Sequence, residues 1–489
     1  MTLPHLKNKL FINNEYVASR SGEVLTVRSP RDESILAEDI PRAGKLDVDD
    51  AVQAAQAAFK TSWGIISGNE RAKIMLKFAD ILEENAALLA GLEMMAMGQP
   101  ISVALELAKM APAMFRHYAG YCDKIYGEVL PEDGNEQYSL VQYQPIGVCA
   151  GIAAWNATLV FFAVKVAPAL AAGNTFIFKP SEKSPLAALA LGDLIACAGF
   201  PPGAINIVTG SGETGSLLAS HMLIRKISFT GSLAAGRKVQ QAATASNLKS
   251  VTLELGGKSP SIIFEDADME NAVNHSSSSF LLNSGQICIA ASRILVHQKI
   301  AEAFTSHLQA RFEALAHAMG DPESPETFLG PLADRAQTES VLEFFSQGRK
   351  DGVQFLIGGT KHEKGGNYVQ PTIMVGGRLD SVTWTKEIFG PALSIRTFET
   401  EEEAIQLAND TSFGLSACVY TSDIARALRV SGLIEAGNIA INSAYRPGHT
   451  VPFGGWKESG NGAREGGLAG LKSYMETKSI LINMKVGRR

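Results

Sequence analysis

Cys288 lies in Asn283-Ser-Gly-Gln-Ile-Cys-Ile-Ala-Ala-Ser292, a lone thiol between two isoleucines and beside small residues. Upstream, Leu253-Glu-Leu-Gly-Gly-Lys-Ser-Pro260 places one carboxylate, Glu254, in an otherwise apolar strand. A thiolate nucleophile and a separate base are what acyl transfer through a thioester requires. Neither stretch is sufficient alone, because a free cysteine is more often an inert packing residue and a motif needs its structural context. The remainder of the chain decides between the two readings.

The elements that must position these residues follow from the hydrophobic pattern. At 489 residues, 46% hydrophobic and 19% charged, the chain is of globular composition with room for several domains. Its net charge of −6 and its lack of any dense basic run beyond the terminal Lys485-Val-Gly-Arg-Arg489 argue against nucleic-acid or anionic-membrane partners. Cys122, Cys149, Cys197, Cys288 and Cys418 are scattered, with no CxxC pair and no Cys/His cluster. That distribution argues against a disulfide framework or a metal site and suits a reducing, cytoplasmic location. The first residues lack an apolar leader. The apolar stretch 147–173 contains Asn156, Lys165 and Pro168, and it reads as a buried strand followed by a buried helix rather than a membrane span.

Helices are expected over 48–59, 70–95 and 103–126 from their apolar spacing, as packing elements. From residue 146, strands at 147–154, 174–179, 204–209, 226–229 and 251–255 alternate with helices near 158–172, 185–198, 213–221 and 233–246. Successive βαβ units of this kind predict a doubly wound parallel sheet that binds nucleotides beyond its strand C-termini. The grammar restarts with strands at 261–264, 293–296, 353–357 and 392–396, a second doubly wound α/β domain that carries Cys288. An alternating strand at 136–144 has a possible partner at 479–484. Such a β arm, with open edges, invites pairing with another subunit, hence a homodimer or homotetramer.

Gly210-Ser-Gly-Glu-Thr-Gly215 matches GxGxxG after a strand, but the acidic ribose ligand expected about twenty residues on is missing. A tight strand-to-helix turn explains these glycines equally well. Phe176-Ile-Phe-Lys-Pro-Ser-Glu182 instead ends a strand with Lys179 and Glu182 at its carboxyl end. A carboxylate there accepts both hydroxyls of an adenosine ribose and repels a 2′-phosphate, which favours NAD over NADP; a surface salt bridge is the plainer alternative. Phe229-Thr-Gly-Ser232 opens a helix whose free N–H groups suit a pyrophosphate.

Taken together, Trp155-Asn156, Lys179-Pro-Ser-Glu182, Phe229-Thr-Gly-Ser232, Leu253-Glu-Leu-Gly-Gly-Lys258, Gly285-Gln-Ile-Cys288, Glu387-Ile-Phe-Gly-Pro391 and Pro452-Phe-Gly-Gly-Trp-Lys-Glu-Ser-Gly460 resemble the aldehyde dehydrogenase superfamily nearly end to end. The resemblance implies an NAD-dependent, hydrolytic, non-CoA-acylating oxidation of a small-molecule aldehyde. Cys288 would attack the carbonyl, and the Asn156 amide with the Cys288 backbone N–H would hold the oxyanion. Glu254 would activate the water that releases the acid, and Lys165 would assist proton movement. It also implies Glu387 on the nicotinamide ribose, Phe389 against the nicotinamide, and Thr230 and Leu255 flanking that ring. Ile152 and Trp155 would lie along the dinucleotide, with Lys179, Glu182, Gly212, Gly231 and Ser232 completing the cofactor set and no metal. The implied division is 1–123 with 146–256 for NAD binding, 257–458 for catalysis, and 124–145 with 470–489 as an oligomerisation arm.

Several positions depart from the family pattern. Trp155-Asn-Ala-Thr158 replaces the usual Trp-Asn-(Phe/Tyr)-Pro, and Val164 stands where Trp is common. Each lost ring leaves space on the scale of ~100 Å³ unless neighbours move in, which suggests a bulky aldehyde, aromatic or branched. Arg446 and His449, in the variable loop Tyr445-Arg-Pro-Gly-His-Thr450, offer the alternative of an acidic semialdehyde substrate. In Gly460-Asn-Gly-Ala-Arg-Glu465 the spacing is shifted, and Glu465 is left outside the expected site. A non-catalytic structural or NAD-binding homologue is the alternative of another class; the joint presence of Cys288, Glu254 and Asn156 speaks against it.

Overall fold

Val148–Ile152, Thr175–Lys179 and Lys226–Thr230 are buried along their whole length. Strands covered by helices on both faces tend to read as apolar runs: Val148–Ile152 does throughout and Thr175–Lys179 does between its ends, whereas Lys226–Thr230 buries Lys226, Ser228 and Thr230 in hydrogen bonds to other side chains. The computed structural model describes residues 7–131, 134 and 136–485; residues 1–6 and most of the terminal basic run lie outside the described residues.

Two seven-stranded sheets organise the chain. The first runs, in spatial order, Ser250–Glu254, Lys226–Thr230, Val148–Ile152, Thr175–Lys179, Ile205–Ile207, Leu10–Ile12 and Glu15–Val17. The five strands from Ser250–Glu254 at one edge to Ile205–Ile207 are parallel. The N-terminal pair extends the edge antiparallel through Phe11 opposite Ile207. The strand order reverses between Val148–Ile152 and Lys226–Thr230, so the crevice beyond their carboxyl ends is the ligand-binding position of an open α/β sheet. The second sheet runs Val353–Ile357, Thr372–Gly376, Ala392–Phe398, Arg293–His297, Pro260–Ile263, Ser416–Tyr420 and Asn438–Ile441. Val353–Ile357, expected to continue the βαβ grammar, is an antiparallel edge strand.

Strand Gln137–Pro145 pairs antiparallel with Met475–Asn483 across nine positions and carries the short Glu128–Leu130 on its other side. This three-stranded sheet stands apart from both larger ones. Two expected helices are cut. The segment 70–95 forms Gly68–Glu84 and Ala86–Met97, because Asn85 leaves helical geometry and turns its amide back onto the Ile81 carbonyl. The expected helix 103–126 is Ile101–Ala119, ending at Gly120. The apolar stretch 147–173 divides into a strand and the helix Thr158–Ala171. No helix among the described residues is long and apolar enough to cross a membrane.

Candidate active site

The loop that presents Cys288 is wired before the thiol is reached. Asn283, Ser284 and Gly285 all have positive φ (53°, 54° and 72°), an unusual run for residues bearing side chains. Gln286 and Ser284 hold it there: the Gln286 amide donates to the Asn283 carbonyl at 3.1 Å and accepts from the Ala333 N–H at 2.9 Å. The Ser284 hydroxyl donates to the Gly330 carbonyl at 2.7 Å. At Gly285 a Cβ would lie 2.2 Å from the Gly390 carbonyl oxygen, so the turn admits only glycine.

Cys288 itself is half-buried. Its thiol is pushed up to about 12, first by burial and then by the nearby charges of Glu387 and Glu254. The chain beyond Glu254 packs directly on the Cys288 backbone, since a Cβ at Gly257 would sit 2.7 Å from the Cys288 carbonyl oxygen. Asn156, buried just ahead of the helix Thr158–Ala171, donates from Nδ2 to the Gln286 carbonyl at 3.1 Å. An amide NH₂ has two protons, so the second is open to a developing oxyanion.

Glu254 ends the strand Ser250–Glu254, where its backbone carbonyl accepts from the Gly231 N–H at 3.1 Å. Its carboxyl is buried, and neither oxygen completes a hydrogen bond, although the Gly455 amide approaches closely enough to favour the charge. Desolvation and then the charge of Glu465 hold its pKa well above the usual carboxylate range.

Lys165 is fully buried. Its ammonium has three protons and three acceptors: Glu465 Oε1 at 2.6 Å, Thr230 Oγ1 at 2.7 Å and Ser228 Oγ at 2.9 Å. The Ser228 hydroxyl in turn donates to Glu465 at 2.8 Å. Glu465, left outside the site by its shifted spacing, therefore belongs beside Lys165 and within electrostatic reach of Glu254. The reason is non-local. Backbone hydrogen bonds of 2.7 and 2.8 Å pair Glu465 with Phe453 and fix its position whatever the length of the intervening loop. An acid a short distance beyond the Phe453-Gly-Gly turn was the only available signal.

The residues read as cofactor ligands gather at the crevice of the first sheet. Lys179 is buried and lies 3.8 Å from the half-exposed Glu182. A Cβ on Gly215 would meet Ile152 at 3.4 Å and Lys179 at 4.0 Å, so that glycine keeps the strand ends open. Gly212 starts the helix Gly212–Ser220. The Gly210 turn packs on Thr214, whose hydroxyl bonds the Ala43 carbonyl at 2.6 Å; those glycines serve a tight turn. Ser232 caps the helix Leu233–Ser246 through the Ala235 N–H, and Gly236 leaves room for Leu255.

On the thiol side, Trp155 meets Phe389 edge-on at 5.3 Å. Phe389 is held at φ 56°, with its carbonyl accepting from Gln337 at 2.9 Å. Glu387 accepts from the Gly257 N–H at 3.0 Å, and burial lifts its carboxyl to about 7. A half-exposed acid at Glu182, able to accept from ribose hydroxyls, and a helix N-terminus at Ser232, able to donate to phosphate, are groups that a dinucleotide needs. Among the described residues no group of three or more His, Cys, Asp or Glu side chains could hold a metal ion.

Ala157, Phe161 and Val164 are all partly exposed and recur at spacings of four and three, one stripe running from the N-cap along the helix Thr158–Ala171. In the variable loop Arg446 is exposed, and the His449 ring packs 5.0 Å from His117.

The model of the aldehyde dehydrogenase family matches residues 16–480. Human retinal dehydrogenase 2 is 43% identical over 480 residues, covering 97% of this chain and 92% of its own length. The structure of the aldehyde dehydrogenase KauB from Pseudomonas aeruginosa superposes with a TM-score of 0.95 at 38% identity, covering 98% of this chain and 97% of that one. The P. syringae indole-3-acetaldehyde dehydrogenase, solved with NAD+, gives the same TM-score, identity and coverage.

Proposed function

Because the chain belongs to the aldehyde dehydrogenase family, whose NAD-dependent oxidation of aldehydes it shares, we propose that it converts a bulky aldehyde, aromatic or branched, to the carboxylic acid. Bound NAD+ supplies the hydride acceptor and a cationic ring. The protein supplies the nucleophile, the oxyanion donors, the base and the exclusion of bulk water.

Cys288 adds to the carbonyl carbon as the thiolate, its proton already lost to solvent before the aldehyde enters, so that a C–S bond forms, the C=O π bond opens and the thiohemiacetal arises as its oxyanion. The charge that develops on oxygen meets the free proton of Asn156 and the Cys288 N–H, donors already set by the loop, each worth ~3 kcal/mol at such sites. Loss of hydride leaves the thioester. Water then adds, giving up a proton to Glu254, and the C–S bond breaks to release the carboxylic acid and return the Cys288 thiolate. Burial and the charge of Glu465 hold the pKa of the Glu254 carboxylate well above the usual range, which makes it the stronger base for that proton. Its electrostatic coupling to Glu465, which is bonded to Lys165, supports an onward route for the proton through these two residues.

The substrate class rests on one observation: the stripe Ala157–Phe161–Val164 beside Asn156 carries two small side chains and stays partly exposed. Retinal and indole-3-acetaldehyde, named in relatives, are aldehydes of this bulk. kcat/KM for a bicyclic aromatic aldehyde is expected to exceed that for acetaldehyde on the order of tenfold or more. Ala157→Phe is expected to narrow the gap by losing the large substrate. A clear preference of the unaltered enzyme for acetaldehyde removes the assignment.

The division into an NAD-binding part (1–123 with 146–256), a catalytic part (257–458) and an arm belongs to the same proposal. The arm's outer strand Glu128–Leu130 is exposed throughout, which supports pairing between copies of the chain.

A further inference from the structure

The helix that carries Asn156 at its start has no cap of its own. Ala157 occupies the N-cap position of Thr158–Ala171 and offers no side-chain oxygen, although the first amides of a helix need acceptors from outside. Glu93, on the separate helix Ala86–Met97, supplies them. Its Oε1 accepts from the Thr158 N–H at 3.0 Å and its Oε2 faces the Leu159 N–H at 3.5 Å. An anion at that end is also favoured by the helix dipole.

Glu93 is 2% exposed, and its surroundings give it hydrogen bonds but no cation. Burial raises its carboxyl to about 7. Packing alone explains such a group poorly, because an apolar side chain would fill the space without the desolvation cost. On the other side of Asn156, the Ser184 hydroxyl donates to the Trp155 carbonyl at 3.0 Å and lies 2.9 Å from Thr158 Oγ1. The peptide units flanking Asn156 and Ala157 are thus held from two directions, while the Asn156 amide reaches the loop that bears Cys288.

We propose that Glu93 is a positioning residue, which fixes the Asn156 amide against the Cys288 loop by gripping the Thr158 and Leu159 amides. This rests on the reading of Asn156 as an oxyanion donor. Without the grip, the first helical turn frays and Asn156 loses its register with the reacting carbonyl, and a misplacement of about 1 Å can cost ~100-fold in rate.

The test is a double-mutant cycle in the full chain, with kcat, aldehyde KM and NAD+ affinity measured for each form. Glu93→Ala is expected to lower kcat by about tenfold to 100-fold with KM and NAD+ affinity unchanged. Glu93→Gln keeps a carbonyl oxygen for the Thr158 amide and is expected to restore most of kcat. In an Asn156→Ala background, Glu93→Ala is expected to add no further loss. Should Glu93→Ala not accumulate as folded protein, Glu93→Met, apolar and of similar length, repeats the cycle. Additive losses overturn the positioning role alone, as does a fall in thermal stability or NAD+ affinity with kcat intact. An unchanged kcat in Asn156→Ala by itself overturns the oxyanion reading and this inference with it.

Discussion

Cys288→Ala is expected to lower kcat for aldehyde oxidation by about 10,000-fold or more, while NAD+ still binds. Removing a covalent nucleophile has effects of that order, because the remaining site retains only binding and charge stabilisation. The thiol's setting excludes a substitute, since the other described cysteines stand elsewhere: Cys122, Cys149 and Cys418 are buried in the two cores and Cys197 is exposed on the helix Leu186–Ala198. Cys288→Ser separates nucleophilicity from space. A hydroxyl of similar size sits in the same loop but loses its proton far less readily, so it is expected to remain within about tenfold of the alanine form. NADH formation with a panel of aldehydes, alongside NAD+ titration of the same preparations, measures both. Oxidation of any aldehyde at the unaltered rate by Cys288→Ala removes the mechanism.

Cys288, Glu254 and Asn156 could be proposed as thiol nucleophile, base and oxyanion amide from the sequence because each is a residue type inside a short local motif. The same holds for parallel strands such as Val148–Ile152, whose burial on both faces writes itself into the sequence as an apolar run. What stayed hidden depends on contacts between distant segments. Glu465 enters the site through its backbone pairing with Phe453, so counting residues along Gly460-Asn-Gly-Ala-Arg-Glu465 misplaced it. Glu93 caps a helix that begins 65 residues later in the chain, and its own helix carries no sign of that duty. The break at Asn85 carries no signal in the hydrophobic pattern, because the apolar spacing on either side is compatible with one continuous helix.

Glu254→Gln is expected to form about one equivalent of NADH per active site in a rapid burst and then nearly stop, with steady-state turnover down ~100-fold to 10,000-fold. The substitution keeps the shape and removes the base, so water addition to the thioester fails and the acyl-enzyme accumulates. The first half-reaction has no reason to slow. The Glu254 charge is one of the influences that raise the Cys288 thiol, so a neutral amide there lowers the thiol's pKa and favours the attacking thiolate. The pH dependence carries the sign. The folded protein holds the Glu254 carboxyl well above its ordinary range, so at lower pH it is protonated and cannot accept a proton. Turnover of the unaltered enzyme should therefore rise with pH through that raised pKa, and the glutamine form should lose the rise. Rapid-mixing NADH traces across pH, with mass measurement of the protein after the burst, read both signals. A Glu254→Gln enzyme that turns over at the unaltered rate, with no burst and the same pH profile, would assign the water-activating role to another group, and Glu387, the other carboxylate whose charge reaches the Cys288 thiol, is the first to test.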